Sequence, residues 1–141
     1  MSKNRILLFW EDDQDIIAMF SLYFQEHGYP VEDVKSFDEC VEKCKSKTPI
    51  LLIIQRFMEG YSISIGLEYV RKIRENTKIN YFPIIVGWAD FSHTDKKLGY
   101  HEAFEAGANA CFGRVFDITE ILEQVKLLHA NPSLTGLVDR P

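Results

Sequence analysis

The chain has 141 residues, of which 46% are hydrophobic and 13% aromatic, enough for one globular domain with a continuous core. Its 21 acidic and 16 basic residues give a net charge of −5, and no basic stripe could track a phosphate backbone, which excludes nucleic acid as a direct partner. The apolar run in "MSKNRILLFWEDD" is too short for a signal-peptide core, and no other approaches the roughly 18 residues that cross a bilayer. With three cysteines and no disulfide framework, the expectation is a cytoplasmic protein without membrane contact.

In chain order, "RILLFW" (5–10) reads as a buried strand, and 13–28 as a helix with Ile16, Ile17, Phe20, Tyr23 and Phe24 at helical spacing and a glycine near its end. "YPVEDV" (29–34) is a short strand. Residues 36–47 form a helix with Ser36 as N-cap, Glu39 at the capping-box position and Phe37, Val41 and Cys44 facing inward. "ILLII" (50–54) is the most apolar strand. A Gly- and Ser-containing loop (58–66) then leads to a helix at 66–76 on which Leu67, Val70 and Ile73 share a face, and "YFPIIVGWA" (81–89) supplies a fourth strand. The stretch 90–108 begins as a loop and takes helical register from about Lys97, ending at Gly107. "NACF" (109–112) is a fifth strand, and 117–130 a last helix with Asp117 as N-cap and Glu120 completing a capping box. Strands alternating with helices predict an α/β fold, a parallel sheet covered on both faces. The organisation expected is one domain over 1–130, followed by a tail or linker over 131–141 that has two prolines, a glycine and no periodicity.

In such a sheet the chemistry gathers beyond the carboxyl ends of the strands. Those ends carry Glu11, Asp12 and Asp13 after the first strand, Gln55 and Arg56 after the third, Trp88 after the fourth and Arg114 after the fifth.

The pieces "ILLFWEDDQDI", "PILLIIQRFMEG", "GLEYVRKIRE", "FPIIVGWA" and "EAGANACFGRVF", in this order and over about residues 4–129, resemble the receiver domain of bacterial response regulators. The resemblance implies the flavodoxin-like (βα)5 fold, a five-stranded parallel sheet of order 2-1-3-4-5. It also implies two-component signal transduction, in which a histidine kinase passes a phosphoryl group to an Asp at the end of the third strand. That reaction needs a carboxylate nucleophile, a divalent cation held by acids after the first strand, and a hydroxyl and an ammonium that bind the transferred oxygens.

Glu11 and Asp12 fall on the family's metal-binding acids, so Mg²⁺ is the one cofactor to expect there, bound weakly. Gln55 falls on the phosphoacceptor, where a neutral amide is no useful nucleophile. Trp88 replaces the family's Ser or Thr, Cys111 its switch aromatic, and Arg114, followed by Val115, its Lys and Pro. Four departures in one pocket resemble a pseudo-receiver, a non-enzymatic module that works without phosphorylation by binding another protein. That partner would be a histidine kinase, another signalling protein or a second copy, met through residues 94–129.

Alternatives remain for single residues. The acids after the first strand either retain a cation or are neutralised by Arg114, or by Arg56, pairing with Asp12. Trp88 plugs the pocket or anchors a partner, and Trp10 reads as core. Cys40 and Cys44, four apart on one helix, read as helix-face residues rather than a metal half-site, whereas Cys111 could make the module redox-responsive. His27, His93, His101 and His129 read as exposed or capping residues. A flavodoxin-like binder of a small ligand is a competing reading, opposed by the acidic first turn "WEDDQD", which repels phosphate.

Overall fold

A computed structural model describes residues 4–10, 13–47, 49–55, 65–76, 78–79, 82–90 and 95–139. Strands and helices alternate: β1 (Ile6–Trp10), α1 (Gln14–Glu26), β2 (Val31–Asp33), α2 (Phe37–Lys47), β3 (Leu51–Gln55), α3 (Ile65–Glu75), β4 (Ile84–Gly87), α4 (Lys96–Ala106), β5 (Ala110–Phe112), α5 (Ile118–Ala130) and β6 (Leu137–Val138). Every residue of β1, β3, β4 and β5 is buried, which is why these strands read as unbroken apolar runs instead of alternating ones.

The alternation of side chains across the sheet sorts the core into two layers. Leu7, Phe9, Leu52, Ile54 and Val86 point to one face, against Cys40 and Cys44 of α2, Val70 and Ile73 of α3 and Ala103 of α4. Ile6, Leu8, Leu51, Ile53 and Phe112 point to the other, against Phe20 and Phe24 of α1 and Ile121, Val125 and Leu128 of α5. The two faces are therefore covered by different helices, the doubly wound arrangement.

Helix ends follow local chemistry. Asp13 caps α1 by accepting from the Ile16 amide, 3.2 Å, and Asp117 caps α5 by accepting from Thr119, 2.9 Å. Ser36 Oγ accepts from the Glu39 amide, 3.1 Å, while the Glu39 carboxylate accepts from the Lys35 amide, 2.7 Å, one residue further back than the usual box partner. Gly107 ends α4 at φ +119, as a glycine in the left-handed region can.

All strand pairs are parallel, in the order β2-β1-β3-β4-β5-β6. This corrects the expected five-stranded sheet. The sixth strand comes from the stretch read as an aperiodic tail, where Leu137 and Val138 pair with Ala110 and Cys111. Its cause is long-range: β5 offers an open edge, and the Leu137 amide donates to the Asn109 carbonyl, 3.2 Å.

Candidate functional site

The register Trp10↔Gln55 and Gly87↔Phe112 brings the carboxyl ends of β1, β3, β4 and β5 to one side of the molecule. Gln55 is the last residue of β3 and fully buried, so the amide stands inside the sheet's rim. Glu11, Asp12 and Arg56 lie outside the described residues, and so do the loop over 56–64 and His93; the pairing of Arg114 or Arg56 with Asp12 falls there too. Asp13, the third acid of that turn, serves as the α1 cap.

Next to Gln55 the pocket is walled by rings. The Trp10 indole, 3% exposed, stacks on Phe112 with centroids 6.0 Å apart and meets Trp88 edge-on at 5.7 Å. Trp88 itself is half-buried, at φ +56, an uncommon left-handed backbone for a bulky residue. The turn is tied to β5 because the following amide, Ala89, donates to the Phe112 carbonyl, 3.0 Å. Gly87 permits this crowding: a Cβ there would stand 2.6 Å from the Phe112 ring and 2.9 Å from the Trp10 ring. The expected position of Trp88 at the end of β4 is thus one of aromatic packing, with the indole N–H as the side chain's single donor.

Arg114 turns to Asp90. Its amide donates to Asp90 Oδ1, 3.0 Å, and its Nε lies 3.9 Å from the same oxygen, with the Arg114 side chain half exposed. Cys111 is fully buried in β5, and burial pushes its thiol up, opposite to the activated thiolate that redox sensing requires. Cys40 and Cys44 are buried in the core under α2; the hydrogen bond from Cys40, then burial, pushes the Cys44 thiol up as well. His27 Nδ1 meets the Tyr23 carbonyl, 2.8 Å, and His129 Nδ1 the Tyr29 hydroxyl, 3.2 Å, while His101 pairs with Glu105 on α4.

A second constellation, which no sequence pattern announced, lies on the β5 edge. The Tyr100 hydroxyl donates to Asp139 Oδ1, 2.5 Å, the Gly113 amide donates to Asp139 Oδ2, 3.3 Å, and Lys96 Nζ stands 3.4 Å from Asp139 Oδ1. Burial, reinforced by the bond to Asp139, pushes the Tyr100 phenol up, which keeps it a donor at neutral pH. Beside it a groove of about 600 Å³ runs between α4 and β6, lined by Lys97, Tyr100, His101, Phe104 and Val138 among others.

Among the described residues, no three His, Cys, Asp or Glu side chains converge as a metal site. Glu11 and Asp12, the acids expected to hold Mg²⁺, lie outside the described residues, and Gln55 would add a neutral amide to them rather than a further carboxylate.

No family model matches the sequence. The chain is 23% identical over 125 residues to the alkaline phosphatase synthesis transcriptional regulatory protein PhoP of Bacillus subtilis (strain 168), covering 89% of this chain and 48% of that protein. It is 27% identical over 132 residues to the transcriptional regulatory protein GltR of Pseudomonas aeruginosa, covering 91% and 50%. The chain thus spans about half the length of these curated relatives. Among solved structures, a putative response regulator from Chloroflexus aurantiacus J-10-fl superposes with a TM-score of 0.74 at 26% identity, covering 92% of this chain and 100% of that one. The fold is the receiver fold. The receiver domain of the Francisella response regulator 1452 shares it, at TM-score 0.73 and 20% identity over 90% of this chain and 98% of that one. Against the receiver fold, β6 is added outside β5, on the edge that the five-strand order 2-1-3-4-5 leaves open.

Proposed function

We propose that this chain is a pseudo-receiver: a signal-transduction module that neither accepts a phosphoryl group nor catalyses a reaction, and that acts by binding another protein. The observation that carries this reading is Gln55, a fully buried neutral amide at the carboxyl end of β3. An amide nitrogen whose lone pair is delocalised into the carbonyl is no nucleophile toward phosphorus. The ring wall of Trp10, Trp88 and Phe112 supports it, because large rings whose only donors are the two indole N–H groups stand beside Gln55 in place of a small hydroxyl. The partner is a signalling protein, such as a histidine kinase, or a second copy. It meets the surface of α4, the sheet edge and α5, where Leu98 and Leu127 are about half exposed.

The test is intact mass after incubation of the chain with Mg²⁺ and a small-molecule phosphodonor. The expected spectrum is unchanged; a gain of one phosphoryl group, mapped to any side chain of the pocket, overturns the reading. The redox alternative at Cys111 is opposed by that residue's complete burial.

A further inference from the structure

The segment that forms β6 is held by a two-residue strand pairing, by two half-buried leucines and by polar latches. Residues 131–133, 135, 136 and 138 are exposed, Leu134 and Leu137 are half-buried, and Asp139 alone is buried. Leu134 and Leu137 pack against the layer under α1 and α5 but stay half-buried, so the hydrophobic effect contributes less here than in the fully buried strands. Two polar features add to these contacts. Asn109 Nδ2 donates to the Leu134 carbonyl, 2.8 Å, and more distantly to that of Pro132, 3.4 Å. Asp139 enters the cradle of Tyr100, Gly113 and Lys96. The strand does not close on α4: besides the groove of about 600 Å³, a second void of about 420 Å³ lies under Thr135 and Gly136, with Phe104 between the two. A segment with few apolar contacts and exposed backbone sits at the low-stability end of a fold.

The cradle, in contrast, belongs to the body of the domain. Tyr100 is 7% exposed and packed in the core with Ala103 and Cys111, and the Gly113 amide continues directly from β5. A phenol, an amide N–H and an ammonium converging on one point form an acceptor-binding site for a carboxylate. Emptying it would leave a buried amide and a buried hydroxyl without their acceptor.

We propose that the open edge of β5 and the Tyr100–Gly113–Lys96 cradle form a docking site for an extended segment carrying a carboxylate. Residues 137–139 fill it in cis, and the same residues of a second copy take their place in trans. Strand pairing supplies the affinity and the cradle the selection, as in other additions of a strand to a sheet edge. The occupant is chosen on what the structure displays, because Leu137, Val138 and Asp139 already fit the site. The connection from Asn131 to Gly136 spans six residues, and straightened it reaches roughly 20 Å from the end of α5, enough to leave the parent sheet and enter a neighbour's. The inference rests on the fold and not on the loss of phosphoryl acceptance.

The experiment uses a fluorescein-labelled peptide of residues 131–141 and the full chain carrying Asp139→Ala, in which the cis latch is broken and the cradle is intact. Anisotropy is expected to show saturable binding to this variant and binding at least tenfold weaker to the unsubstituted chain, where the tethered strand competes at high effective concentration. A peptide carrying Asp139→Asn is expected to bind at least tenfold more weakly than the native peptide. Absence of saturable binding to Asp139→Ala, or equal binding by the Asp139→Asn peptide or a scrambled one, overturns the proposal. Hydrogen exchange on the unsubstituted chain keeps the test independent of how that variant folds. The Leu137 and Gly113 amides are expected to exchange at least tenfold faster than the Val86 amide in β4, and equal rates would mean that the strand leaves only when the whole domain unfolds.

Discussion

The side chain of Asn109 accepts hydrogen bonds from the Arg74 guanidinium, 2.7 Å, and the Ile84 amide, 2.9 Å, through one oxygen, while its nitrogen donates to the β6 segment. Arg74, whose ordinary pKa is lowered by burial, spends its other nitrogens on the carbonyls of Gly107 and Phe82, both 2.8 Å away. One amide thus joins α3, β4 and β5 to the added strand. Asn109→Ala removes the acceptor of the buried Ile84 amide and of one nitrogen of the half-buried Arg74 guanidinium, so urea denaturation is expected to show a loss of about 2–3 kcal/mol. Asn109→Asp keeps the acceptor for Arg74 and Ile84 but cannot donate to Leu134. It is expected to lose clearly less global stability than Asn109→Ala while speeding amide exchange at Leu137. An equal loss in both variants would show that the contacts to Arg74 and Ile84 are not what stabilises this corner.

Helix α4 approaches the turn after β4 so closely that a Cβ on Gly99 would lie 2.0 Å from the Ala89 carbonyl oxygen, and backbone cannot rotate away as a side chain can. Gly99→Ala must therefore push α4 off the sheet. Although alanine is the better helix former by about 1 kcal/mol, the overpacking penalty of about 1–3 kcal/mol or more is expected to win, lowering the urea midpoint; an unchanged or raised midpoint would contradict this packing. The same element shows what the sequence could disclose. Helical register from Lys97 and the stop at Gly107 were legible because periodicity and a left-handed glycine are local. So were the caps at Ser36 and Asp117, and the position of Gln55 at a strand end, since a run of buried β residues announces its own length. Strand β6 was not legible: two residues carry no period, and their place is set by the β5 edge and by Asp139, 39 residues from Tyr100. Nor does any residue pattern foretell the left-handed backbone of Trp88, whose ring meets Trp10 edge-on.

At the scale of the molecule, one sheet separates two cores that share no helix, yet neither core can persist without the other. Leu7 and Leu8 point to opposite faces of the same strand, as do Ile53 and Ile54, so melting one layer strips the backbone that carries the other. Both tryptophans belong to the layer under α1 and α5, whereas α2, α3 and α4 cover the opposite layer. Tryptophan fluorescence and far-UV circular dichroism therefore sample the two sides unequally. Their urea transitions are expected to coincide in midpoint and slope, as for a cooperative domain below about 150 residues. Release of β6 would change neither signal appreciably, because two strand residues contribute little dichroism and the tail carries no indole. A fluorescence transition preceding the dichroism would instead place the weak point in the ring cluster of Trp10, Trp88 and Phe112 at the carboxyl ends of β1, β4 and β5.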